Sequence, residues 1–302
     1  MTQRRSIRNL PYHIMLLPAM VIVLIYCYVP MIGVLMAFED YKPGKGFMGF
    51  FTSPWVGFKH YMYFFNLDAT GQILFNTVYI SLMKMVLGII VPVFVAILLN
   101  ELKSVWFKRT MQTFVYLPNF MSWVVLAGIM VDILSPSDGI VNRVIKAMTG
   151  HTVPFLMNSA VFPYTLVGSD VWQRFGFLTI VYIAAITGID PTLYEAAKID
   201  GAGYIKQMWH ITLPGMMSII VLMSLLSLGN LLNAGFEQVL NLINPAVQST
   251  GEIIDTYVYK LGILDARYSL ATAVGLFKSV VSVILISLSY WLAYRFADYR
   301  IF

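Results

Sequence analysis

Six apolar segments, each long enough to cross a lipid bilayer as a helix, dominate this chain of 302 residues. A transmembrane helix needs about 20 mostly apolar residues, because every backbone polar group must be paired inside the hydrocarbon core. Composition agrees, since 59% of the residues are hydrophobic and only 12% are charged. We therefore predict an all-α membrane protein, a single domain over residues 1–302, with transmembrane helices at about residues 13–38, 73–99, 111–134, 162–188, 215–236 and 271–293.

The lysines and arginines indicate which helix ends face the cytoplasm. With the amino terminus inside, the cytoplasmic segments hold about ten of them in roughly 57 residues, whereas the external loops hold about seven in roughly 94. This bias predicts that both termini are cytoplasmic. It also explains the net charge of +5 without a nucleic-acid partner.

A polar stretch over residues 190–214 lies on the predicted cytoplasmic side. Asp190-Pro191 is typical of a helix start, because the carboxylate accepts free N–H groups and proline lacks one. Gly201 and Gly203 are so close together that they favour a sharp turn over one continuous helix. We predict a helix, a glycine turn and a second short helix that ends near Pro214 as the chain re-enters the membrane.

The same stretch resembles the EAA signature of binding-protein-dependent importer permeases of the ATP-binding cassette superfamily. The matching residues are Glu195, Ala196, Ala197, Gly201, Ile211, Leu213 and Pro214, with Asp200 beside the glycine. In that family the stretch is a coupling loop that docks on a separate ATPase subunit. The resemblance implies the six-helix type I permease fold in the bacterial cytoplasmic (inner) membrane.

The resemblance also implies partners and a mechanism. The expected assembly contains a second permease subunit, two ATPase subunits, an external or periplasmic solute-binding protein and membrane lipid. ATP and magnesium are expected on the ATPase subunits, and no cofactor or metal on this chain. The implied mechanism is alternating access, in which ATP binding moves the coupling loop and rearranges the helices that bound the pathway.

A second resemblance concerns the substrate. The first external loop, from Phe38 to Gly57, and the segments 235–239, 254–259 and 273–278 are similar to the carbohydrate-uptake branch of these permeases, especially members handling complex oligosaccharides. The implied substrate is an oligosaccharide. Cationic side chains in the membrane would be compatible with an acidic one, such as a fragment of a uronic-acid polymer like alginate.

The residues give no support for catalysis by this chain. No G-x-x-x-x-G-K-[ST] phosphate-binding loop is present, so ATP hydrolysis is expected elsewhere. The four histidines are scattered along the chain without metal-ligand spacing, and there is no G-x-S-x-G nucleophile motif. We predict that the chain is not itself an enzyme.

Polar residues inside the membrane are candidates for the substrate pathway, because they are costly there without a partner or a cavity. Asp170 and Arg174 are four residues apart on one helix face, which suits an ion pair. They are either a structural pair or, with Trp172 stacking on a sugar ring, a patch on the pathway. The further candidates are Asn230, Asn233, Glu237 and Lys278.

Each further candidate has a structural alternative. Asn230, Asn233 and Glu237 would form a polar stripe on the fifth helix that either hydrogen-bonds another helix or contacts substrate. Lys278 has no acidic neighbour at helical spacing, so it either pairs with another helix or contacts an acidic substrate. Lys84 lies at a similar depth and is expected to extend towards the external surface.

Two other classes of protein remain as alternatives. A self-contained secondary transporter or channel would show an internal repeat and helices broken at mid-membrane, and neither is clear in the sequence. A membrane-embedded enzyme acting on lipid or glycan would use Asp170 or Glu237 as acid–base groups, although no paired carboxylates are evident.

Overall fold

The computed structural model describes residues 2–102 and 104–297, and this part of the chain is almost entirely helical. Lys103 and residues 298–302, including Arg300, lie outside the described residues, and so does the prediction of a cytoplasmic carboxyl terminus. Short 3₁₀ and π segments join several helices, at Leu24–Tyr28, Val29–Phe38, Pro43–Met48, Leu117–Phe120, Met208–Thr212 and Lys260–Leu264. The α-helices are α1 Thr2–Val23, α2 Gly49–Thr52, α3 Lys59–Phe65, α4 Asp68–Asn100, α5 Val105–Tyr116, α6 Trp123–Ile133, α7 Ile140–Thr149, α8 Phe162–Thr187, α9 Pro191–Ile199, α10 Tyr204–Gln207, α11 Leu213–Leu228, α12 Phe236–Leu242, α13 Gln248–Gly251, α14 Ile254–Tyr259 and α15 Tyr268–Ala297.

Within the described residues, four helical stretches are long and apolar enough to cross a membrane. Two bent helix pairs bring the number to six if each pair counts as one span, with bends of 107° and 69°. The four stretches are Tyr12–Phe38, Asp68–Asn100, Tyr204–Leu228 and Tyr268–Leu292, and the pairs are Val105–Phe120 with Trp123–Ile133 and Phe162–Thr187 with Pro191–Ile199. The all-α membrane fold is therefore confirmed, whereas the single domain stays a prediction.

The structure differs from the predicted continuous helix over 111–134. The chain breaks between Phe120 and Trp123, where Met121 is extended. The Ser122 side chain caps the new helix by accepting the N–H of Val125. The carbonyl of Met121, which the break leaves without a helical partner, accepts a hydrogen bond from the buried Gln173 amide at 3.2 Å.

The chain divides into two compact units, the second of which comprises Asp68–Tyr257 and the residues from Lys278 onward. Within it, α4 and α8 pack against each other over much of their length. One core cluster lies around Ile80, Leu166 and Val239, and another around Tyr182 and Met216. Many large apolar side chains on these helices point outward, as expected when the surrounding solvent is lipid.

The first unit comprises residues up to Leu67 together with Val258–Phe277. The segment that follows Phe38 in this unit is held by ring stacking and by hydrogen bonds. Phe38 stacks on Trp55 with ring centroids 5.6 Å apart, and the N–H of Tyr41 donates to the Ser269 hydroxyl at 2.9 Å. The aromatic residues of this loop thus pack on one another within the unit.

Gly176 of α8 allows a close contact with α5. A Cβ atom at this position would lie 2.0 Å from the backbone oxygen of Val115, a distance that no side chain tolerates. We expect Gly176→Ala to lower the free energy of unfolding by about 1–3 kcal/mol through overpacking. Thermal unfolding of the detergent-solubilised protein measures this loss.

Gly168 supplies the control, because it lies on the same helix and a Cβ there would meet nothing within 4 Å. Gly168→Ala should leave the melting temperature unchanged or slightly raised, since alanine is the better helix former. Equal melting temperatures for the two variants would show that α5 and α8 do not approach closely at Gly176.

Candidate functional site

The stretch 190–214 forms a sharp elbow between two helices. The Asp190 carboxylate caps α9 by accepting the N–H of Thr192 at 2.9 Å, and this hydrogen bond lowers the pKa of Asp190 by stabilising its charged form. The helix ends at Ile199, and Gly201 follows with φ of +75°, in the left-handed region that favours glycine. The N–H of Ala202 donates back to the Ala197 carbonyl at 2.8 Å and closes the turn. The predicted helix start and glycine turn are confirmed.

The second helix of the elbow differs from the prediction. It begins at Tyr204 but does not end near Pro214, because a π-helical turn over Met208–Thr212 carries it directly into α11. In this turn the N–H of Leu213 donates to the carbonyl of Met208, five residues back. The wider turn lets the chain pass Pro214, which has no N–H to give, without a break.

Two contacts fix the elbow to the start of α11. The Tyr194 hydroxyl lies 3.0 Å from the Thr212 hydroxyl, which joins α9 to the π turn. Gly215 lies so close to Ile189 that a Cβ atom there would be 2.6 Å from its side chain. These contacts tie α9 and the residue before its cap to the start of α11.

The residues of the predicted coupling loop are distributed over both arms of this elbow. Glu195, Ala196, Asp200, Gly201 and Pro214 are exposed, whereas Ala197, Ile211 and Leu213 are half-buried. Sequence reasoning missed three apolar side chains that project from the same elbow, namely Leu193, Ile199 and Ile205. Ile199 is 87% exposed, although it lies in a polar stretch outside the apolar segments. Apolar residues within a polar loop were the signal that could have identified this exposed apolar surface.

A second site lies among α4, α8 and the end of α11, around a cavity of about 330 Å³. The Asp170 carboxylate is shared by two cations, with one oxygen 3.4 Å from the Lys84 Nζ atom and 3.4 Å from the Arg174 Nε atom. Lys84 is buried, whereas the Arg174 side chain is 54% exposed. The predicted Asp170–Arg174 ion pair is present, and the cluster retains one net positive charge.

Lys84 does not extend to the surface as expected. Its ammonium group donates to the carbonyl of Ala234 at 2.7 Å and to the side-chain oxygen of Gln238, in addition to contacting Asp170. In a continuous helix the Ala234 carbonyl would accept the N–H of residue 238. Lys84 takes that carbonyl instead and so holds the chain in a non-helical form.

The prediction that Asn230, Asn233 and Glu237 form a polar stripe on one helix is therefore wrong. Helix α11 ends at Leu228, and the chain does not resume a helix until Phe236, after Gly235 with φ of +89°. Asn230 and Asn233 are on this irregular segment and line the cavity. Glu237 is on α12, is exposed and does not line the cavity.

Trp172 and Lys278 lie apart from the cavity. Each residue of an α-helix is rotated by about 100° from the one before it, so residues two apart point to nearly opposite faces. Trp172 therefore faces away from Asp170. It lines a separate apolar groove of about 310 Å³ with Met130 and Tyr164.

Lys278 pairs with Asp255 of α14, a partner that the sequence did not reveal, and both side chains are 20% exposed. Of the two readings of Lys278, the structure shows pairing with another helix.

The described residues contain no group of three or more His, Cys, Asp or Glu side chains that could hold a metal ion. The cavity is lined instead by hydrogen-bonding and charged groups, among them Arg174, Asn230 and Asn233. Hydroxyl-rich and anionic molecules are the chemistry that such groups bind.

Comparison with known proteins gives consistent relatives over nearly the whole chain. The polygalacturonan/rhamnogalacturonan transport system permease protein YteP of Bacillus subtilis (strain 168) is 40% identical over 290 residues, covering 96% of this chain and 89% of that protein. The crystal structure of a bacterial ABC transporter involved in the import of the acidic polysaccharide alginate matches with a TM-score of 0.88 and 35% identity, covering 98% of this chain and 99% of that chain. The crystal structure of a bacterial alginate ABC transporter in complex with alginate pentasaccharide-bound periplasmic protein matches with a TM-score of 0.87 and 34% identity, covering 98% of each chain.

The family match is equally direct. Residues 88–298 match the family described as binding-protein-dependent transport system inner membrane component, and this range contains both the elbow and most of the cavity residues. The structural similarity shows the fold of an ABC importer permease. The chain belongs to this family, as a multi-pass permease subunit of an inner membrane transport system.

Proposed function

We propose that this permease passes an acidic oligosaccharide from an external binding protein to the cytoplasm. It acts with a second permease subunit and two ATPase subunits. The chain supplies one side of the pathway and one coupling elbow, while ATP and magnesium bind the ATPase subunits rather than this chain. Substrate enters and leaves by alternating access.

The observation that supports an acidic substrate is the positive charge of the cavity. Lys84, Asp170 and Arg174 together leave one positive charge, and the exposed Arg174 guanidinium carries it to the cavity wall. A guanidinium binds a carboxylate through two parallel hydrogen bonds, which fits the one carboxylate on each uronate residue. The relatives that handle polygalacturonan and alginate support this assignment, because both polymers are built from uronic acids.

The proposed coupling step uses the elbow as a rigid lever. The Tyr194–Thr212 contact joins α9 to the start of α11, and Ile189, just before the Asp190 cap, packs on Gly215. Helix α11 leads directly to Asn230 and Asn233 at the cavity. A displacement of α9 by an ATPase subunit would thus reach the irregular segment held by Lys84. Such a lever needs only two global states that the bound nucleotide favours differently.

Replacing Arg174 tests the substrate assignment. In the complete transporter reconstituted with its binding protein, Arg174→Gln should reduce ATPase stimulation by an oligogalacturonate about tenfold, because a charge-assisted hydrogen bond is worth about 1.5–3 kcal/mol. Stimulation by a neutral oligosaccharide of the same length should not change. Both activities are read from phosphate release under identical conditions.

Arg174→Lys is the matched control, since it keeps the charge but loses the bidentate geometry. It should retain part of the stimulation by the acidic sugar. Equal loss for acidic and neutral sugars in Arg174→Gln would mean that Arg174 is structural, and the acidic substrate would have to be abandoned while the permease function stands.

A further inference from the structure

Helix α7 exposes an apolar stripe on the side of the membrane opposite the elbow. Ile140, Val144 and Met148 are four residues apart, so they lie on one face of the helix. Their exposed fractions are 64%, 56% and 81%. The long helix α8 separates α7 from the elbow, which places α7 at the external end of the permease.

The opposite face of α7 is anchored to its own loop. The Asn142 side chain is 1% exposed, and its amide nitrogen is directed at the carbonyls of Leu134, Ser135 and Val153 at 2.9 to 3.1 Å. Its side-chain oxygen accepts the N–H of Val153 at 2.7 Å. Helix α7 is thus held by Asn142, with Val141 and Ile145 half-buried beside it, while Ile140, Val144 and Met148 are left outward without a partner among the described residues.

Two cations lie along one side of the stripe. Arg143 and Lys146 are exposed on the side of the helix between the apolar stripe and Asn142. A helix of 10 residues is far too short to cross a bilayer. Basic residues beside an apolar face are typical of helices that lie in the plane of the membrane interface.

We propose that α7 is an interfacial helix whose apolar stripe lies among the acyl chains of the outer leaflet, with Arg143 and Lys146 bound to the phosphates of anionic phospholipids. Lipid suits this face because an apolar stripe with basic residues along one side is complementary to acyl chains next to anionic phosphates. The stripe also follows closely on α6, whose exposed Val124 and Val131 are on one of the bent helix pairs that are long and apolar enough to cross a membrane.

Depth measurements by electron paramagnetic resonance test the proposal in the complete transporter in nanodiscs. Cys27 is the only cysteine of the chain, so Cys27→Ser combined with cysteine-free partner subunits gives a background for single labels. Nitroxides on Val144→Cys and Met148→Cys should be reached by oxygen and shielded from an aqueous nickel complex. The control label on Lys146→Cys should show the opposite preference.

Each other outcome would overturn the assignment. Equal access of the nickel complex to positions 144 and 146 would place the stripe in water. Shielding of position 144 from both oxygen and nickel would mean that a protein subunit covers it.

Native mass spectrometry tests the headgroup contact separately. In nanodiscs of mixed phosphatidylglycerol and phosphatidylcholine, the double variant Arg143→Gln/Lys146→Gln should lower the ratio of retained phosphatidylglycerol to retained phosphatidylcholine by about threefold or more. An unchanged ratio would remove the anionic lipid from the proposal.

Discussion

Gly201→Asp is expected to abolish ATP-driven uptake while the chain still inserts into the membrane. Gly201 has φ of +75°, which aspartate adopts with a cost of about 1–2 kcal/mol, and a Cβ atom there would meet nothing within 4 Å of the chain. The variant should therefore fold. The new side chain would instead project from the elbow beside the exposed Ile199, where the ATPase is proposed to dock. Uptake of labelled oligosaccharide into proteoliposomes should fall at least about tenfold, the equivalent of about 1.4 kcal/mol in coupling.

Gly150→Asp is the matched control for this variant. Gly150 also follows a helix, has φ of +79° and leaves open space around a Cβ atom, but it lies at the end of α7. Its aspartate carries the same backbone strain and the same charge, so uptake should stay within about twofold of the wild type. Equal loss in both variants would attribute the effect to backbone strain and would contradict the docking role of the elbow.

Lys84→Met is expected to cause the largest loss of stability. Methionine keeps the approximate volume but removes a buried cation, which leaves Asp170 with Arg174 alone and deprives the Ala234 carbonyl of its donor. A buried carbonyl left without a donor costs about 1–3 kcal/mol, and the loss of one of the two cations of Asp170 adds to this, up to about 3–5 kcal/mol for a buried charge left fully unpaired. The melting temperature of the assembled transporter in detergent should drop accordingly, and transport should be lost because the segment 229–235 is no longer held.

A double variant separates charge from packing. Lys84→Met/Asp170→Leu removes both charges, so its melting temperature should recover part of the loss, as coupled neighbours do in a double-mutant cycle. Lys278→Met should be milder, because Lys278 and Asp255 both keep access to solvent. Strict additivity of the Lys84 and Asp170 effects would show that the two groups do not form an ion pair in the folded protein.

The sequence predicted the parts of the structure that depend on local chemistry. Asp190 and Gly201 each act through backbone groups within a few residues, so a cap and a turn could be read from residue type and spacing. The apolar segments likewise predicted an all-α membrane fold, because bilayer thickness fixes the length of a spanning helix.

Contacts between distant segments were beyond the same reasoning. Lys84 meets residues 86 and 150 positions away, and nothing local to Lys84 indicates that its partner is the backbone of Ala234. The Lys278–Asp255 pair could not be predicted for the same reason, because the two residues are on different helices. The break after Leu228 had a signal in Gly229 and Gly235, but the apolar residues between them favoured a continuous helix.

The broken helices at residues 121–122 and 229–235 are a feature that the secondary-transporter alternative also predicted. Broken helices line cavities in several transporter classes, so they do not separate these classes by themselves. Membership of the binding-protein-dependent family decides the matter, together with the similarity to the alginate importer over 98% of the chain.

Affinity purification of the tagged chain from native membranes in mild detergent is the most direct test of the central claim, that this permease is one part of an ATP-driven importer. Mass identification of the co-purified proteins should find an ATPase and a second permease chain, and ATP hydrolysis by the complex should rise when the binding protein is loaded with a uronate oligosaccharide. A chain that purifies alone, without an ATPase, and that transports sugar in vesicles lacking ATP would contradict the account.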